Sequence, residues 1–542
     1  MTASRISTRG VAAHERGQAP PEPAAGGQKN DRGFWLVLGL LVLYAAIHIA
    51  FRLLASSALG EDDPIESLRA QQLLALYEPR QPPLYTWALY AVQQVMGPTV
   101  SSFLAIKYAA LIGTGCLLYA VARRALGPGV LALMAVESLA LIYQLSWRFH
   151  EGYTHQVGAM LAVAATTWAL VRVIETARLK DFVVFGLVAG VGTLTQPIYS
   201  VFLLASLLAV TFEAEIRQRM FGPRFFISAA LIAAFAGFYL WHALGHAGLS
   251  GLVGDPWTHG WRESAAGLWN AVRAPLFYLS PLILFLPLLF PGFLSRAGRD
   301  LSTSLLIVPA SATRVSAHHD ARAPGAIERI VLRTSVLGLL LSSLGAVVFG
   351  LKGYASHVFM PLYIASVIWL MSAVRRSDPS DLSISRFGRL ALAIAVFALV
   401  ARLANMFVLD PVCKICRWGV PYEGLAAALR EVDASGATIV TLDHELGGNL
   451  RVHFPQSPVV LVRGARAIPA DARLTRGKLV LVWSNAAKGA DATTAFSSIV
   501  SGVGVGARDP AAAKLVRVPW QHLWRPTGYR FSEWRVLVLD RP

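Results

Sequence analysis

The stretch FWLVLGLLVLYAAIHIAFRLL, residues 34–54, decides the class of fold. It is apolar over about 20 residues, the length that an α-helix needs to cross the hydrocarbon core of a bilayer. A secretory signal peptide has a shorter apolar core and a shorter leader, although the small residues Ser56 and Ala58 resemble a cleavage site and leave that alternative open. We therefore expect this stretch to be the first membrane-spanning helix.

Similar apolar stretches, separated by short charged loops, recur along the chain. The 542 residues are 55% apolar and only 15% charged, with a mean hydropathy of +0.51, whereas a soluble domain is roughly 25% charged. These features predict a polytopic α-helical membrane protein with about eleven spans. The predicted spans are residues 34–54, 102–121, 129–146, 156–174, 182–195, 197–212, 225–244, 275–293, 330–350, 355–374 and 388–408.

Lysines and arginines are concentrated in every second loop, which is the bias of loops that face the cytoplasm. Residues 1–32 are rich in Ala, Pro, Gly and Arg and predict a disordered cytoplasmic tail. An odd number of spans then places residues 409–542 outside the cytoplasm. The net charge of +17 follows from the same bias, and because no basic patch is interleaved with aromatic residues, a nucleic-acid partner is not expected.

The first outer segment, residues 55–101, is too long for a tight connection. Its acidic start, residues 61–66 (EDDPIE), predicts a helix with Asp63 at the N-cap, Pro64 at the first helical position and an end near Leu76. An amphipathic pattern over residues 84–96 predicts a second helix that lies along the membrane surface.

The composition changes after Leu409, where predicted strands alternate with predicted helices. This pattern is typical of a small α/β domain, and about 130 residues suffice for a core of its own. The predicted helices are 421–432, 445–453 and 490–503, and the predicted strands are 437–442, 458–462, 477–483, 514–518 and 533–539.

The three cysteines fall into two groups. Cys116 lies in an apolar span and is expected to be a packing residue. Cys413 and Cys416 form a lone C-x-x-C without the second ligand pair of a zinc site. Outside the cytoplasm this pair favours a disulfide, with free thiols or a metal site as alternatives.

Acidic residues at the start of the first outer segment are candidates for acid–base chemistry. Asp62, Asp63 and Glu66 directly follow the first span. A carboxylate at such a membrane face can accept a proton from a substrate that a lipid presents there. Helix capping with ordinary solvation is the alternative interpretation of the same residues.

Cations on the predicted outer side are candidates for binding an anionic group, because short outer loops are usually depleted of them. They include Arg80, Arg148 and Lys352, with Lys107 about six residues inside the second span, where it either snorkels outward or serves a site. Outer histidines such as His155 are either hydrogen-bonding residues or, with Glu78 or Asp62, ligands of a divalent cation. The sequence contains no phosphate-binding loop or dinucleotide fingerprint, which argues against a nucleotide substrate.

Three motifs carry a resemblance to a known family. They are residues 77–87 (YEPRQPPLYTW), residues 154–157 (THQV) and residues 192–194 (GTL). With them the chain resembles, over most of its length, the bacterial family-39-like glycosyltransferases of the GT-C type. This protein-mannosyltransferase-like group includes lipid A aminoarabinose transferases and rhizobial galacturonosyltransferases.

The resemblance implies a GT-C membrane domain over residues 33–408, followed by a periplasmic α/β domain over residues 409–542. It implies inverting transfer of one sugar from a polyprenyl-phosphate carrier to lipid A, another envelope glycan or a protein, at the outer face of the bacterial inner membrane. Asp62 or Asp63 would be the base, with Glu66 beside it. The implied phosphate and substrate contacts are Arg80, Lys107, Arg148, His155, Lys352 and Tyr85, and Glu78 falls near a metal-associated glutamate.

The sequence departs from the family at two places. It has Asp-Asp-Pro where the family has Asp-Glu-Ala, so the aligned aspartate is not fixed, and it has Gln196 where members often have lysine. A transporter, a non-catalytic subunit of envelope assembly and a ligase that moves a whole glycan are the alternatives. A transporter would have internal repeats and matching helix breaks, whereas the chain shows one such interruption, at Gln196-Pro197.

Overall fold

A computed structural model of the chain describes residues 32–307, 324–350, 356–409, 412–413, 417–463, 466–468, 477–485, 512–522 and 525–539. The predicted cytoplasmic tail up to Asp31 and the predicted helix 490–503 lie outside these residues. The described part consists of a large helical region followed by a smaller region that contains a β-sheet.

The helical region is built from apolar helices that pack around one extended core. Its elements are α1 (Arg32–Ala55), α2 (Asp63–Arg69), α3 (Leu84–Met96), α4 (Val100–Leu126), α5 (Val130–Glu137), α6 (Tyr143–Ser146), α7 (Thr154–Thr176), α8 (Leu179–Thr193), α9 (Pro197–Thr211), α10 (Ala214–Met220), α11 (Phe225–Val253), α12 (Trp261–Tyr278), α13 (Leu282–Leu289), α14 (Phe293–Thr303), α15 (Ala326–Phe349), α16 (Met360–Tyr363), α17 (Ser366–Arg376) and α18 (Asp381–Phe407).

Six of these helices are long and apolar enough to cross a membrane, namely α1, α4, α7, α11, α15 and α18. Shorter apolar helices lie at 130–141 and at α9. Long side chains on α1, α11 and α18 are largely exposed, as expected where a helix contacts lipid rather than protein. The described residues are therefore mostly helical and form a polytopic membrane protein, while the number of crossings stays a prediction.

Three predicted spans are interrupted rather than continuous. The stretch 129–146 contains α5, a 3₁₀ turn at Ser138–Leu141 and α6, and the stretch 355–374 begins with a 3₁₀ turn before α16 and α17. The stretch 275–293 is broken where α12 ends at Tyr278 and α13 begins at Leu282, with Pro281, which has no backbone N–H to donate, between them. The apolar pattern of these stretches is continuous, so the breaks could not be seen from hydropathy alone.

The described residues between 417 and 539 include two α-helices and a six-stranded sheet. The elements are α19 (Tyr422–Glu431), α20 (His444–His453), β1 (Thr438–Thr441), β2 (Val459–Arg463), β3 (Arg466–Ile468), β4 (Leu479–Ser484), β5 (Lys514–Pro519) and β6 (Phe531–Leu539). The strand order is β3-β2-β1-β4-β6-β5. The central strand β1 is parallel to both neighbours, and the other pairs are antiparallel. All five predicted strand positions contain a strand.

The first outer segment differs from the prediction at its first helix. The N-cap of α2 is Asp62 rather than Asp63, and its side chain makes no capping hydrogen bond. The helix ends at Arg69 rather than near Leu76 because the chain turns there to meet the sheet: the Gln71 amide accepts from the Val459 N–H at 2.9 Å and donates to the Val459 carbonyl at 2.8 Å. The second helix, α3, has the predicted bounds.

Helix α20 packs directly against the first outer segment. The Leu59 N–H donates to Asn449 Oδ1 at 2.6 Å, and the Ser67 hydroxyl donates to the Gly448 carbonyl at 3.2 Å. Gly448 lies so close to Pro64 that a Cβ atom there would be 2.3 Å from the Pro64 Cα atom. The sheet region therefore fixes the position of the acidic start of α2.

Substitution of Gly448 by alanine is expected to force α20 away from α2, because the atoms in the way belong to the Pro64 backbone. Overpacking of this kind costs about 1–3 kcal/mol. Thermal unfolding in detergent should show a lower Tm for Gly448→Ala. Gly237→Ala is the matched control, since a Cβ atom there meets nothing within 4 Å. Equal Tm values for wild type and Gly448→Ala would contradict this packing.

Candidate active site

Three carboxylates converge where α1 leads into α2. Asp62, Asp63 and Glu66 lie on the turn and first part of α2, with Asp63 and Glu66 buried and Asp62 half-buried. Pro64, at the start of α2, is preset for the helical conformation and lacks the N–H that a helix start leaves unbonded. The local sequence thus holds three acidic side chains within one helical turn.

Glu66 contacts polar side chains from three helices. Its Oε1 lies 2.8 Å from Arg69 Nη1 and 3.0 Å from His155 Nε2, and its Oε2 accepts from the Thr86 hydroxyl at 2.5 Å. Burial alone would raise the pKa of Glu66, but the charges of His155 and Arg69 and the Thr86 hydrogen bond hold it at about 2. A carboxylate of this kind stays ionised and is a poor proton acceptor, so Glu66 positions α2 rather than acting as a base.

Asp63 faces the interior of the helical region. Its Oδ2 lies 3.7 Å from Lys107 Nζ, and its buried Oδ1 has no hydrogen-bond partner among the described residues. Burial raises the pKa of Asp63 to about 6, although the charges of Lys107 and Arg52 act in the opposite direction. The structure thus brings Lys107 to the acidic turn, while its predicted contact with a phosphate stays a prediction.

Asp62 has the environment of an available base. Its side chain is partly accessible and makes no hydrogen bond or ion pair with any residue in the described ranges. Burial raises the pKa of Asp62 to about 6, with Asp63 and Glu66 adding to the rise and His155 opposing it. A carboxylate with a pKa near 6 is ionised at neutral pH and still accepts a proton readily.

Tyr85 and His155 close one side of the acidic turn. Their ring centroids are 5.1 Å apart, and both side chains are buried. Burial and the nearby carboxylates raise the pKa of Tyr85 well above its ordinary value, so the phenol stays protonated. The motifs at residues 77–87 and 154–157 therefore meet at Glu66, through Thr86 and His155.

The other predicted site residues either make contacts away from the acidic turn or lie outside the residues that the structure describes. Arg148 donates to the Tyr153 hydroxyl and stacks on its ring at 5.0 Å, and Arg80 donates to the Gly251 carbonyl at 2.8 Å. Lys352 and Cys416 lie outside the described residues, so the Lys352 contact and the Cys413–Cys416 disulfide stay predictions.

Glu78 is the residue predicted to be metal-associated. Its side chain is 44% exposed and lies 3.4 Å from Arg69 Nη2, so a cation already occupies one side of it. In the part of the chain that the structure covers, no group of three or more His, Cys, Asp or Glu side chains is arranged to hold a metal ion. A divalent cation at Glu78 stays a prediction.

Several charged residues near the site were not predicted from the sequence. Arg417 lies 3.1 Å from Glu61 and 3.8 Å from Glu151. Arg52 and Arg402 are buried near the ends of α1 and α18. An arginine inside an apolar span was the available signal, because such residues are costly in a membrane and usually functional.

A polar cavity lies between the first outer segment and the sheet region. Its volume is about 700 Å³, and its lining is dominated by uncharged polar side chains. These include Gln71, Gln72, Gln93, Gln94 and Gln456, with Arg451 as the charged member. The α2–α3 pair therefore has the carboxylates at one end and an amide-lined cavity at the other.

The fold and the site together define a class of protein. It is a polytopic membrane protein in which a partly accessible carboxylate of raised pKa lies beside buried cations. Comparison with known proteins agrees with the resemblance. The family model described as dolichyl-phosphate-mannose-protein mannosyltransferase matches residues 80–242. The chain is 26% identical over 487 residues to the lipopolysaccharide core galacturonosyltransferase RgtA of Rhizobium johnstonii, covering 88% of this chain and 93% of the relative.

A second relative, the lipopolysaccharide core galacturonosyltransferase RgtB of the same organism, is 24% identical over 510 residues, covering 93% of this chain and 98% of the relative. The crystal structure of ArnT from Cupriavidus metallidurans bound to undecaprenyl phosphate aligns with 92% of this chain and 98% of that chain, at 13% identity and a TM-score of 0.43. The resemblance to bacterial GT-C glycosyltransferases inferred from the motifs is thus confirmed.

Replacement of Glu66 by glutamine is expected to lower the free energy of unfolding by about 3–5 kcal/mol, because Arg69 and His155 would lose their anion. The contribution of Glu66 is complete above its ordinary pKa of 4.5 and is lost as the pH falls toward 2. The Tm difference from wild type in detergent should therefore be larger at pH 7 than at pH 3.

Glu78→Gln is the control, since Glu78 is 44% exposed and its contact with Arg69 is long. An exposed pair of this kind contributes at most about 1 kcal/mol. Equal losses in the two variants, or a Glu66→Gln effect independent of pH, would contradict the assignment of Glu66 as a positioning residue.

Proposed function

We propose that this protein transfers one monosaccharide from a polyprenyl-phosphate carrier to an envelope acceptor, with inversion at the sugar carbon. The observation that carries the proposal is Asp62, an accessible carboxylate of raised pKa that makes no bond within the described residues and lies next to the Asp63–Lys107 pair. The names of the curated relatives, which are lipopolysaccharide core galacturonosyltransferases, support this reaction class.

In the proposed step, Asp62 takes the proton of an acceptor hydroxyl. The hydroxyl oxygen then attacks C1 of the sugar while the bond from C1 to the phosphate oxygen breaks, and the electron pair of that bond leaves with the polyprenyl phosphate. A single displacement of this kind inverts the configuration at C1. Lys107, which lies beside Asp63, would stabilise the negative charge that grows on the leaving phosphate.

Two features support a site at the outer face of the inner membrane. The basic loops predict that the N-terminus and the loops after the even-numbered spans face the cytoplasm. Residues 55–101 and the sheet region then lie together on the opposite side, which agrees with their direct contact through α20. A carrier lipid held in the bilayer would present its head group at this level.

The amide-lined cavity is our candidate for the binding site of the acceptor. Glutamine side chains offer both donors and acceptors of hydrogen bonds, which matches the hydroxyl groups of a glycan such as a lipopolysaccharide core. Gln93 has a buried Oε1 atom without a partner among the described residues, so the cavity holds unused bonding capacity. The α2–α3 pair would guide the acceptor from this cavity toward Asp62.

Asp62→Asn is expected to lower kcat by about 100-fold or more, because a general base contributes 10²–10⁴-fold. In wild type, kcat/KM should rise with pH and level off above about pH 6, since the base must be deprotonated. The assay is transfer of radiolabelled sugar from polyprenyl-phosphate donors to membrane lipid and protein, by purified enzyme in detergent.

Asp63→Asn is run beside Asp62→Asn; it should keep transfer, with a pH profile shifted to lower pH, because the charge of Asp63 adds to the rise in the Asp62 pKa. If Asp63→Asn abolishes transfer while Asp62→Asn retains it, Asp63 is the base. If no polyprenyl-phosphate donor supports transfer by wild type, the proposed reaction is wrong, and a transporter or an assembly subunit becomes the better interpretation.

Removing amides from the cavity is expected to weaken acceptor binding without changing the chemical step. Gln94→Ala and Gln456→Ala should each raise the KM for the acceptor about 2- to 10-fold, the effect of losing one hydrogen bond, while kcat stays the same. Gln218→Ala, an exposed glutamine on α10, is the control. A fall in kcat with unchanged KM would contradict the assignment of the cavity to the acceptor.

A further inference from the structure

The turn that precedes Asp62 has an unusual backbone conformation. Glu61 has a φ of +54°, in the left-handed region that favours glycine. This conformation is costly for a residue with a Cβ atom, and it persists only where surrounding contacts hold it. The Gly60 carbonyl accepts from the Asp63 N–H at 3.2 Å and so closes the turn around Glu61 and Asp62. The direction in which the Asp62 side chain leaves the backbone therefore depends on what holds Glu61.

Arg417, at the start of the sheet region, contacts this turn directly. Its Nη2 lies 3.1 Å from Glu61 Oε1 and 3.8 Å from Glu151 Oε2, so one guanidinium joins the turn to the loop before α7. A Cβ atom on Gly60 would overlap the Arg417 side chain. Arg417 therefore holds Glu61 through its charge and Gly60 through close packing.

The loop before α7 also packs against the turn. A Cβ atom on Gly152 would be 2.6 Å from the Gly60 carbonyl oxygen and 2.8 Å from Glu61 Cβ. The space around Glu61 is therefore filled by the backbone of a second segment, and the turn has little room to change its conformation while Arg417 is in place.

This loop is itself attached to two long helices through His150. The His150 ring stacks on His48 of α1, with centroids 4.0 Å apart and planes 5° apart. The His150 carbonyl accepts from Arg402 Nη2 of α18 at 2.7 Å. Contacts on both the ring and the backbone fix the loop, so Glu151 and Gly152 meet the turn from a defined position.

Arg417 is held in place by its neighbour in the chain. Trp418 is buried, and the Arg52 guanidinium stacks on its ring at 4.7 Å. Arg52 also donates to the carbonyls of Ser56 and Ala58, at the start of the same connection. The end of α1 and the start of the sheet region are thus packed together, and Arg417 reaches Glu61 from an ordered backbone.

We propose that Arg417 is a positioning residue for the transfer reaction: it keeps Glu61 in the left-handed conformation and thereby directs the Asp62 carboxylate toward the acceptor. The inference rests on the proposed function, in which Asp62 is the base. Arg417 touches neither reactant in this role and acts through the backbone of the turn. A base must lie within hydrogen-bond reach of the proton that it takes, so a small rotation of this turn would slow the reaction.

Glycine at position 61 separates this role from that of an ordinary ion pair. Glu61→Gln and Glu61→Gly both remove the carboxylate that Arg417 contacts. Only glycine adopts a positive φ without steric cost, so only Glu61→Gly can keep the turn in its conformation when the contact is lost. An ion pair that merely stabilised the protein would be lost equally in both variants.

The test measures kcat and KM for sugar transfer in variants of both residues. Arg417→Gln and Glu61→Gln should each lower kcat about tenfold while KM stays the same, because the base is displaced but the binding sites are kept. The double variant should lose no more than either single variant, since both break one contact. Arg417→Lys should recover part of the loss.

The comparison at position 61 carries the decision, because Glu61 is only partly buried and its replacement leaves the fold intact. Glu61→Gly should retain a kcat about threefold or more above that of Glu61→Gln, since glycine keeps the conformation. Arg386→Gln, an exposed arginine near the start of α18, is the control and should transfer as wild type does. The Tm of each variant in detergent is recorded beside its activity.

Three results would overturn the inference while leaving the proposed function intact. They are full transfer by Arg417→Gln, equal losses of kcat in Glu61→Gln and Glu61→Gly, and losses that multiply in the double variant. The absence of transfer by wild type from any polyprenyl-phosphate donor would instead overturn the proposed function, and the positioning role would fall with it.

Discussion

The arrangement of the site depends on one buried carboxylate, that of Glu66. It contacts Arg69 on α2 itself, accepts from Thr86 on α3 and lies 3.0 Å from His155 Nε2 on α7, and so joins both helices of the first outer segment to a long apolar helix. Without this junction, a seven-residue helix such as α2 would have little reason to keep its position, because short helices are marginal on their own. Asp62 and Asp63 occupy fixed positions because Glu66 does.

Asp62 and Glu66 show how the environment separates the roles of similar groups. The two carboxylates are four residues apart, yet cations and a hydroxyl hold the pKa of Glu66 at about 2, whereas burial without a hydrogen-bond donor raises that of Asp62 to about 6. Sequence spacing alone treated both as candidates for the base. Only the three-dimensional arrangement of Arg69, His155 and Thr86 distinguishes the structural carboxylate from the available one.

Local sequence patterns predicted elements well, and contacts between distant segments decided what they missed. Helix α3 and the five predicted strands lie where amphipathic or alternating patterns indicated. Helix α2 ends early because Gln71 bonds to Val459, which is 388 positions away and invisible to local propensity. For the same reason Arg52 and Arg402 were overlooked: each lies in a strongly apolar stretch, and their relation to His48 and His150 appears only when α1 and α18 meet the loop before α7.

The contact between Pro64 and Gly448 has a consequence for biosynthesis. The acidic turn is made more than 380 residues before its packing partner on α20. Contacts of such long sequence separation form late. A ribosome that stalls before α20 therefore releases a chain in which Glu66 can still meet Arg69, Thr86 and His155, but in which α2 lacks its packing against α20.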